Sequence, residues 1–388
     1  MTDEHHADRR SFLKTGAIAG TALVAGASAM AQQVAAETDA SNRPLNKGDI
    51  AILRLLAAVE LIESDLWLQY AELGGVQVFG PQGSELPGLP RGGSAPYTAA
   101  LNNLDADVSQ YIHDNTEDEF SHAAFINAFL VSIGEKPVNL DQFRTLKGSQ
   151  ATGANKTKLR LTNLMQLTVD TSWWTRYRSR AFNPDLGDPQ SDFPQAVPTL
   201  NTGQHPAIPR TDADLAPLNH IQAIADTAAF HFAFIEVGGS SLYPTLAQRV
   251  THPQVLRILL SIGPTETSHF QTWHDKAGNA VSDPLAPLTD GSLTFPNLNV
   301  PPFPAPPPFG LEDFQTNLIM PEPCPFLSRK FPPVSIIRGT SIESFGAVAT
   351  IKAFTADGLF IGQTDGFFDL VGRLASGAVA ATRKCDAD

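Results

Sequence analysis

The stretch Ile112-His113-Asp114-Asn115-Thr116-Glu117-Asp118-Glu119-Phe120-Ser121-His122 ends in Glu-x-x-His, and the pattern returns at Glu266-Thr267-Ser268-His269. Residues i and i+3 share one helix face, so each pair can bring a carboxylate and an imidazole to one metal ion. One such pair alone is weak evidence, because Glu and His are common on solvated faces. Two more glutamates add weight. Glu60 lies in Leu55-Leu56-Ala57-Ala58-Val59-Glu60-Leu61-Ile62, and Glu236 lies in Phe232-Ala233-Phe234-Ile235-Glu236-Val237. An ionised carboxylate among such neighbours is costly unless it is paired or metal-bound. The order along the chain is Glu, Glu-x-x-His, Glu, Glu-x-x-His, which is the ligand set of a dinuclear carboxylate site inside a four-helix bundle. Four carboxylates also balance the charge of two divalent cations.

Outward from these residues, apolar spacing predicts the helices. Residues 46–73 carry Ile52, Leu55, Leu56, Val59, Ile62 and Leu66 at helical intervals. A second helix is predicted from Tyr97 to Ile133, stopping at Gly134 and interrupted near Asn115. A third runs from Leu215 to Glu236 and on to Tyr243 across Gly238-Gly239, and a fourth from Pro253 to Ala277. Gly263-Pro264 should kink the fourth helix just before Glu266 and re-aim Glu266 and His269. The long connection 140–215 is predicted to hold one more helix, Lys156–Arg180, with Trp173 and Trp174. The expected class is therefore all-α, a bundle over 46–280 with a long crossover connection. A Pro-rich extension follows over 281–345, then a C-terminal segment, 346–388, with an amphipathic helix at 365–383 that packs on the bundle. Ser335–Ile337 and Val348–Ile351 read as short strands.

Residues 1–31 read as a twin-arginine signal peptide. Arg9-Arg10-Ser11-Phe12-Leu13-Lys14 precedes a modest apolar run that ends in Ala29-Met30-Ala31. The run is too short and too rich in Ala and Gly for a membrane span. Its removal takes away three basic and three acidic residues, so the net charge stays at -13. Such a chain has no electrostatic reason to bind nucleic acid or anionic lipid. The expected location is periplasmic or secreted, with the twin-arginine translocase as partner during export. In that compartment Cys324 and Cys385, the two cysteines of the chain, would pair.

Other polar residues make weaker candidates than the six. Glu63, one turn from Glu60, is the second choice for its position, because Ser64 and Asp65 beside it suggest exposure. Asp226 and His231 read as structural groups or as partners of a ligand. His113, His220 and His274 read as surface residues, and Trp67, Tyr70 and Tyr243 as core packing.

The stretch 112–122, continuing to Gly134-Glu135-Lys136-Pro137, resembles the second helix of the bacterial ferritin-like domain family, to which the plant desiccation-related proteins also belong. Phe234-Ile235-Glu236-Val237-Gly238-Gly239-Ser240-Ser241-Leu242-Tyr243 is similar to its third helix and Leu259–His269 to its fourth. The resemblance covers roughly 48–275 and implies a ferritin-like bundle with metal ligands Glu60, Glu119, His122, Glu236, Glu266 and His269. It implies two iron ions, or manganese, with dioxygen or peroxide as the small reactant. Fold does not fix a reaction here. An oxidoreductase and a non-catalytic stress- or desiccation-related protein with a vestigial or passive site both remain open, as does a homo-oligomer. Cage storage fits less well, because large insertions and the Pro-rich tail would obstruct a shell.

Overall fold

The structure, a computed structural model, describes residues 44–78, 86–176, 194–298 and 346–381, with a few positions between 328 and 334. Among them are eight helices: α1 Lys47–Gly74, α2 Ala95–Leu104, α3 Val108–Ser132, α4 Ser172–Arg176, α5 Leu218–Ala247, α6 Pro253–Asn279, α7 Ala347–Asp357 and α8 Asp365–Val379. Two antiparallel pairs of very short strands join them: β1 Leu146–Lys147 with β2 Leu159–Arg160, and β3 Leu288–Asp290 with β4 Leu293–Phe295. The class is all-α.

Helix α1 starts where the Asn46 side chain accepts from the Asp49 amide at 2.8 Å, which satisfies one of the free donors of the first turn. From Ile62 to Gly74 every residue is buried, so α1 is a central helix rather than a surface one. It packs against α3, and α5 packs against α6. Pro253 opens α6 at the position where a missing amide costs nothing, and His252 caps it. The fully buried aromatics Trp67, Tyr70, Phe232 and Trp273 come from three of these four helices and form one contact group in the core.

The crossover from α3 to α5 is fastened to α1 by buried charge. Asp65 accepts from the amides of Leu161 and Thr162 at 2.8 and 3.0 Å and is paired with Arg144. Glu72 accepts from the Asn155 amide at 3.0 Å and is paired with the buried Arg160. At the C-terminal end α8 packs on α1 and α7, and α7 packs on α5. No helix among the described residues is long and apolar enough to cross a membrane.

Several expectations are corrected. The second predicted helix is two, α2 and α3, and the break falls at 105–107, while Asn115 lies inside α3. The predicted helix Lys156–Arg180 is instead β2, irregular chain and the five-residue α4, with 177–193 outside the described residues. Leu161 and Thr162 of this segment donate their amides to Asp65 of α1 instead of entering a helical ladder. Helix α5 extends past Tyr243 to Ala247 and includes Pro244. Val348–Ile351 is helical: Ala347, Thr350, Ile351 and Phe354 are buried at i, i+3, i+4 and i+7. The last helix ends at Val379 rather than at 383. Helix α6 runs unbroken through Pro264, and Leu260, whose carbonyl loses its partner there, is on the exposed face. His113 and His274 are buried, not on the surface, and His220 is half-buried. The signal peptide, Ser335–Ile337, Cys324 and Cys385 lie outside the described residues.

Candidate metal centre

The four long helices bring six side chains together at the centre of the bundle. Glu60 comes from α1, Glu119 and His122 from α3, Glu236 from α5, and Glu266 and His269 from α6. They form two groups, Glu60–Glu119–His122–Glu266 and Glu119–Glu236–Glu266–His269. Within each group the candidate donor atoms all lie within 4.8 Å of one another. Glu119 and Glu266 belong to both.

The His122 Nδ1 atom lies 3.4 Å from Glu60, 3.3 Å from Glu119 and 3.2 Å from Glu266. His269 Nδ1 lies 3.2 Å from Glu119 and 3.3 Å from Glu236. Glu119 thus turns Oε2 to His122 and Oε1 to His269. One imidazole nitrogen cannot satisfy three carboxylates. Glu60 Oε2, Glu236 Oε2 and both oxygens of Glu266 have no partner in hydrogen-bonding geometry, although nitrogen atoms stand close by. Neighbouring ligands on an octahedral ion with bonds of about 2.1 Å lie about 3 Å apart, so these spacings suit a shared ion between the atoms. Gly239 of α5 adds to the fit. A Cβ there would press on the Glu266 carboxyl group, 3.1 Å from Cδ and 3.2 Å from Cγ. The bare backbone leaves Glu266 its room.

Electrostatics of the metal-free cluster show what holds it. Burial pushes Glu60 up to about 7, with the Glu119 charge adding and His122 opposing. Burial also raises Glu236, and burial with the Glu119 and Glu60 charges raises Glu266. Glu119 goes the other way: burial opposes its charge, but hydrogen bonds with His122 and His269 outweigh it and lower its pKa. Burial works against charge on both histidines, and the surrounding carboxylates still raise them. Protons therefore neutralise the cluster in place of cations, and metal would displace them.

A layer of hydrogen bonds fixes four of the six. Asn115 donates to Glu119 at 2.9 Å and Glu236 at 3.1 Å, and accepts from Trp273 Nε1 at 2.7 Å. Trp67 Nε1 donates to Glu236 at 3.0 Å. The Tyr243 hydroxyl donates to Glu60. His269 Nε2 lies 2.9 Å from Asp118, which holds the ring with Nδ1 facing the cluster. Spacing alone did not mark these residues. Trp67 and Tyr243, read as core packing, are core residues with polar ends on the site. Asn115 sits one turn before Glu119, and that four-residue spacing is the sequence signal of its place beside the site.

Glu63 is corrected as well. It is 1 % exposed, and Ser64 and Asp65 are equally buried, because the crossover covers that face of α1. Burial, then the charges of Glu266 and Glu119, push its pKa well up, yet it belongs to neither donor group. Asp226 is fully buried on α5 and bonded to Gln222, away from the donor groups.

No curated protein and no solved structure matches the chain. A family model described as a ferritin-like domain matches residues 48–278, a span that begins with α1, ends with α6 and contains all six side chains. The match covers more than half of the sequence, and with the helical bundle and its buried Glu/His cluster it places this chain in the ferritin-like domain family.

Proposed function

We propose that this protein is an exported dinuclear carboxylate oxidoreductase that holds two iron ions and reacts with dioxygen or peroxide. The observation that carries the reading is Glu119, which faces His122 with one oxygen and His269 with the other. In this reading Glu119 and Glu266, common to both donor groups, would serve both ions, Glu60 and His122 would complete the set around one, and Glu236 and His269 the set around the other. Mixed oxygen and nitrogen donors suit iron, with manganese as the nearest substitute. When bound, the pair supplies the electrons for reducing the oxidant. The protein's part is to hold the donors and exclude water. Tyr243 orients Glu60, Trp67 and Asn115 orient Glu236, and Asp118 fixes the tautomer of His269. The paired arginines at 9–10 support export as an already folded, loaded protein through the twin-arginine route.

The alternative is a non-catalytic stress- or desiccation-related protein with a passive or vestigial site. A decayed site would have lost ligands, and here all six positions carry donor residues that face one another. That favours the enzyme. The experiment is metal analysis of protein purified from its native compartment, with optical spectra before and after peroxide. Two iron ions per chain and a peroxide-dependent spectral change support the proposal. Metal-free protein, or bound metal inert to both oxidants, leaves the non-catalytic role.

A further inference from the structure

Beyond the cluster, α1, α5 and α7 bury a second polar group. The Tyr70 hydroxyl lies 2.7 Å from His231 Nδ1, and His231 Nε2 lies 3.2 Å from Asp357 Oδ2. All three side chains are essentially inaccessible to water. For Nδ1 to accept from the phenol, the imidazole proton must sit on Nε2, towards Asp357. Asp357 is the last residue of α7, where the helix dipole already disfavours negative charge, and neither of its oxygens is in hydrogen-bonding geometry. A buried carboxylate in that position costs stability, and its one evident return is to stabilise a positive imidazole beside it.

The group is joined to the metal centre through Trp67. The Tyr70 and Trp67 rings are 5.7 Å apart between centroids, one helical turn apart on α1. The Trp67 Nε1–H is bonded to Glu236. Phe232 lies against both rings. Resting on the di-iron reading above, we propose that Tyr70 is a one-electron donor to the metal centre, with His231 as the acceptor of its proton and Asp357 as the group that positions His231. Hydrogen peroxide, reacting at the loaded centre, is the oxidant. One electron would leave the Tyr70 ring by way of Trp67 and the bound iron would supply a second, so that peroxide, with two protons from solvent, becomes two waters as its O–O bond breaks. The O–H bond breaks, and the proton moves to His231 Nδ1. The products are a neutral phenoxyl radical and an imidazolium facing Asp357.

Chemistry singles out Tyr70 among the described tyrosines. An oxidised phenol is a strong acid and needs a base within hydrogen-bond reach. Tyr97 donates to the Ala207 carbonyl, which cannot take up a proton. Tyr243 donates to Glu60, a proposed ligand whose basicity a bound cation would consume. Tyr111 is 37 % exposed, so its radical would be quenched from solvent.

The test is freeze-quench electron paramagnetic resonance of iron-loaded full-length protein after peroxide, with ring-deuterated tyrosine to identify the radical. Metal content and the peroxide-dependent optical change are measured on the same samples. The expected result is a tyrosyl signal in wild type that is kept in Tyr111→Phe and Tyr97→Phe and lost in Tyr70→Phe, with iron content unchanged. His231→Gln keeps a hydrogen-bond partner for the phenol but removes the base, and should also lose the signal. Wild type that binds iron and reacts with peroxide without a tyrosyl signal overturns the relay alone. So does a signal that survives Tyr70→Phe or is lost in Tyr97→Phe, and an undiminished signal in His231→Gln removes the proton acceptor. Wild type that binds no iron overturns both this proposal and the di-iron reading.

Discussion

Gly239 of α5 and the Glu266 carboxyl group of α6 approach so closely that a single methyl group on Gly239 would fall within 3.1 Å of the Glu266 Cδ. Gly239→Ala should therefore push Glu266 out of both donor groups. In an α-helix the same change gains about 1 kcal/mol of propensity, which offsets part of the overpacking cost of about 1–3 kcal/mol at a buried contact, so the metal-free protein should lose at most about 2 kcal/mol. Bound metal should fall below one ion per chain. Elemental analysis and calorimetric unfolding of the apo form check the two halves together.

Glu119→Gln keeps the volume of the shared carboxylate and removes its charge. Metal binding should weaken at least about tenfold, as expected when a ligand contributing well over about 1.4 kcal/mol is lost. The apo bundle should lose stability, because Glu119 is the one carboxylate of the cluster whose charge His122 and His269 stabilise in the folded state. Titration with iron or manganese, followed by calorimetry, measures both effects.

The metal-free and loaded forms should respond to pH in opposite directions. Glu60 rises in the folded apo protein from 4.5 to about 7, and Glu236 and Glu266 rise too. Folding thus takes up protons on these groups. Their contribution to stability is complete below about pH 4.5 and is lost as pH climbs through about 7. Metal requires the same groups deprotonated, so its affinity grows over that window. The rise in melting temperature on adding metal should be small near pH 5 and large near pH 8. A metal-induced rise that shrinks with increasing pH would contradict the carboxylate cluster as the binding site.

Asp65→Ala tests the crossover rather than the site. It removes the acceptor for the Leu161 and Thr162 amides and leaves Arg144 without its buried partner. The loss should be about 3 kcal/mol or more in urea unfolding of the metal-free protein.

The bundle was legible because its ligands lie on long amphipathic helices, where spacing of three and four residues is a direct record of which side chains share a face. The six clustered side chains could be found from that spacing plus the cost of Glu60 and Glu236 among apolar neighbours. The crossover was not legible. Its order comes from Asp65 and Glu72, which are distant in sequence, and no local pattern near residue 160 announces them. The same partners explain why Glu63 reads as exposed: Ser64 and Asp65 are polar, but the crossover buries them. Val348–Ile351 was misread because β-branched residues suggest a strand, while the burial of Ala347, Thr350, Ile351 and Phe354 follows the helical period.

We propose that two metal ions share Glu119 and Glu266, and anomalous X-ray diffraction from crystals of iron-loaded protein, collected above and below the iron edge, is the decisive measurement. Two iron peaks per chain are expected, one among Glu60, Glu119, His122 and Glu266 and the other among Glu119, Glu236, Glu266 and His269. Each should lie about 2.0–2.2 Å from its donor atoms. Loaded crystals with no peak between these side chains, or with a single ion that leaves His122 or His269 unliganded, would contradict it.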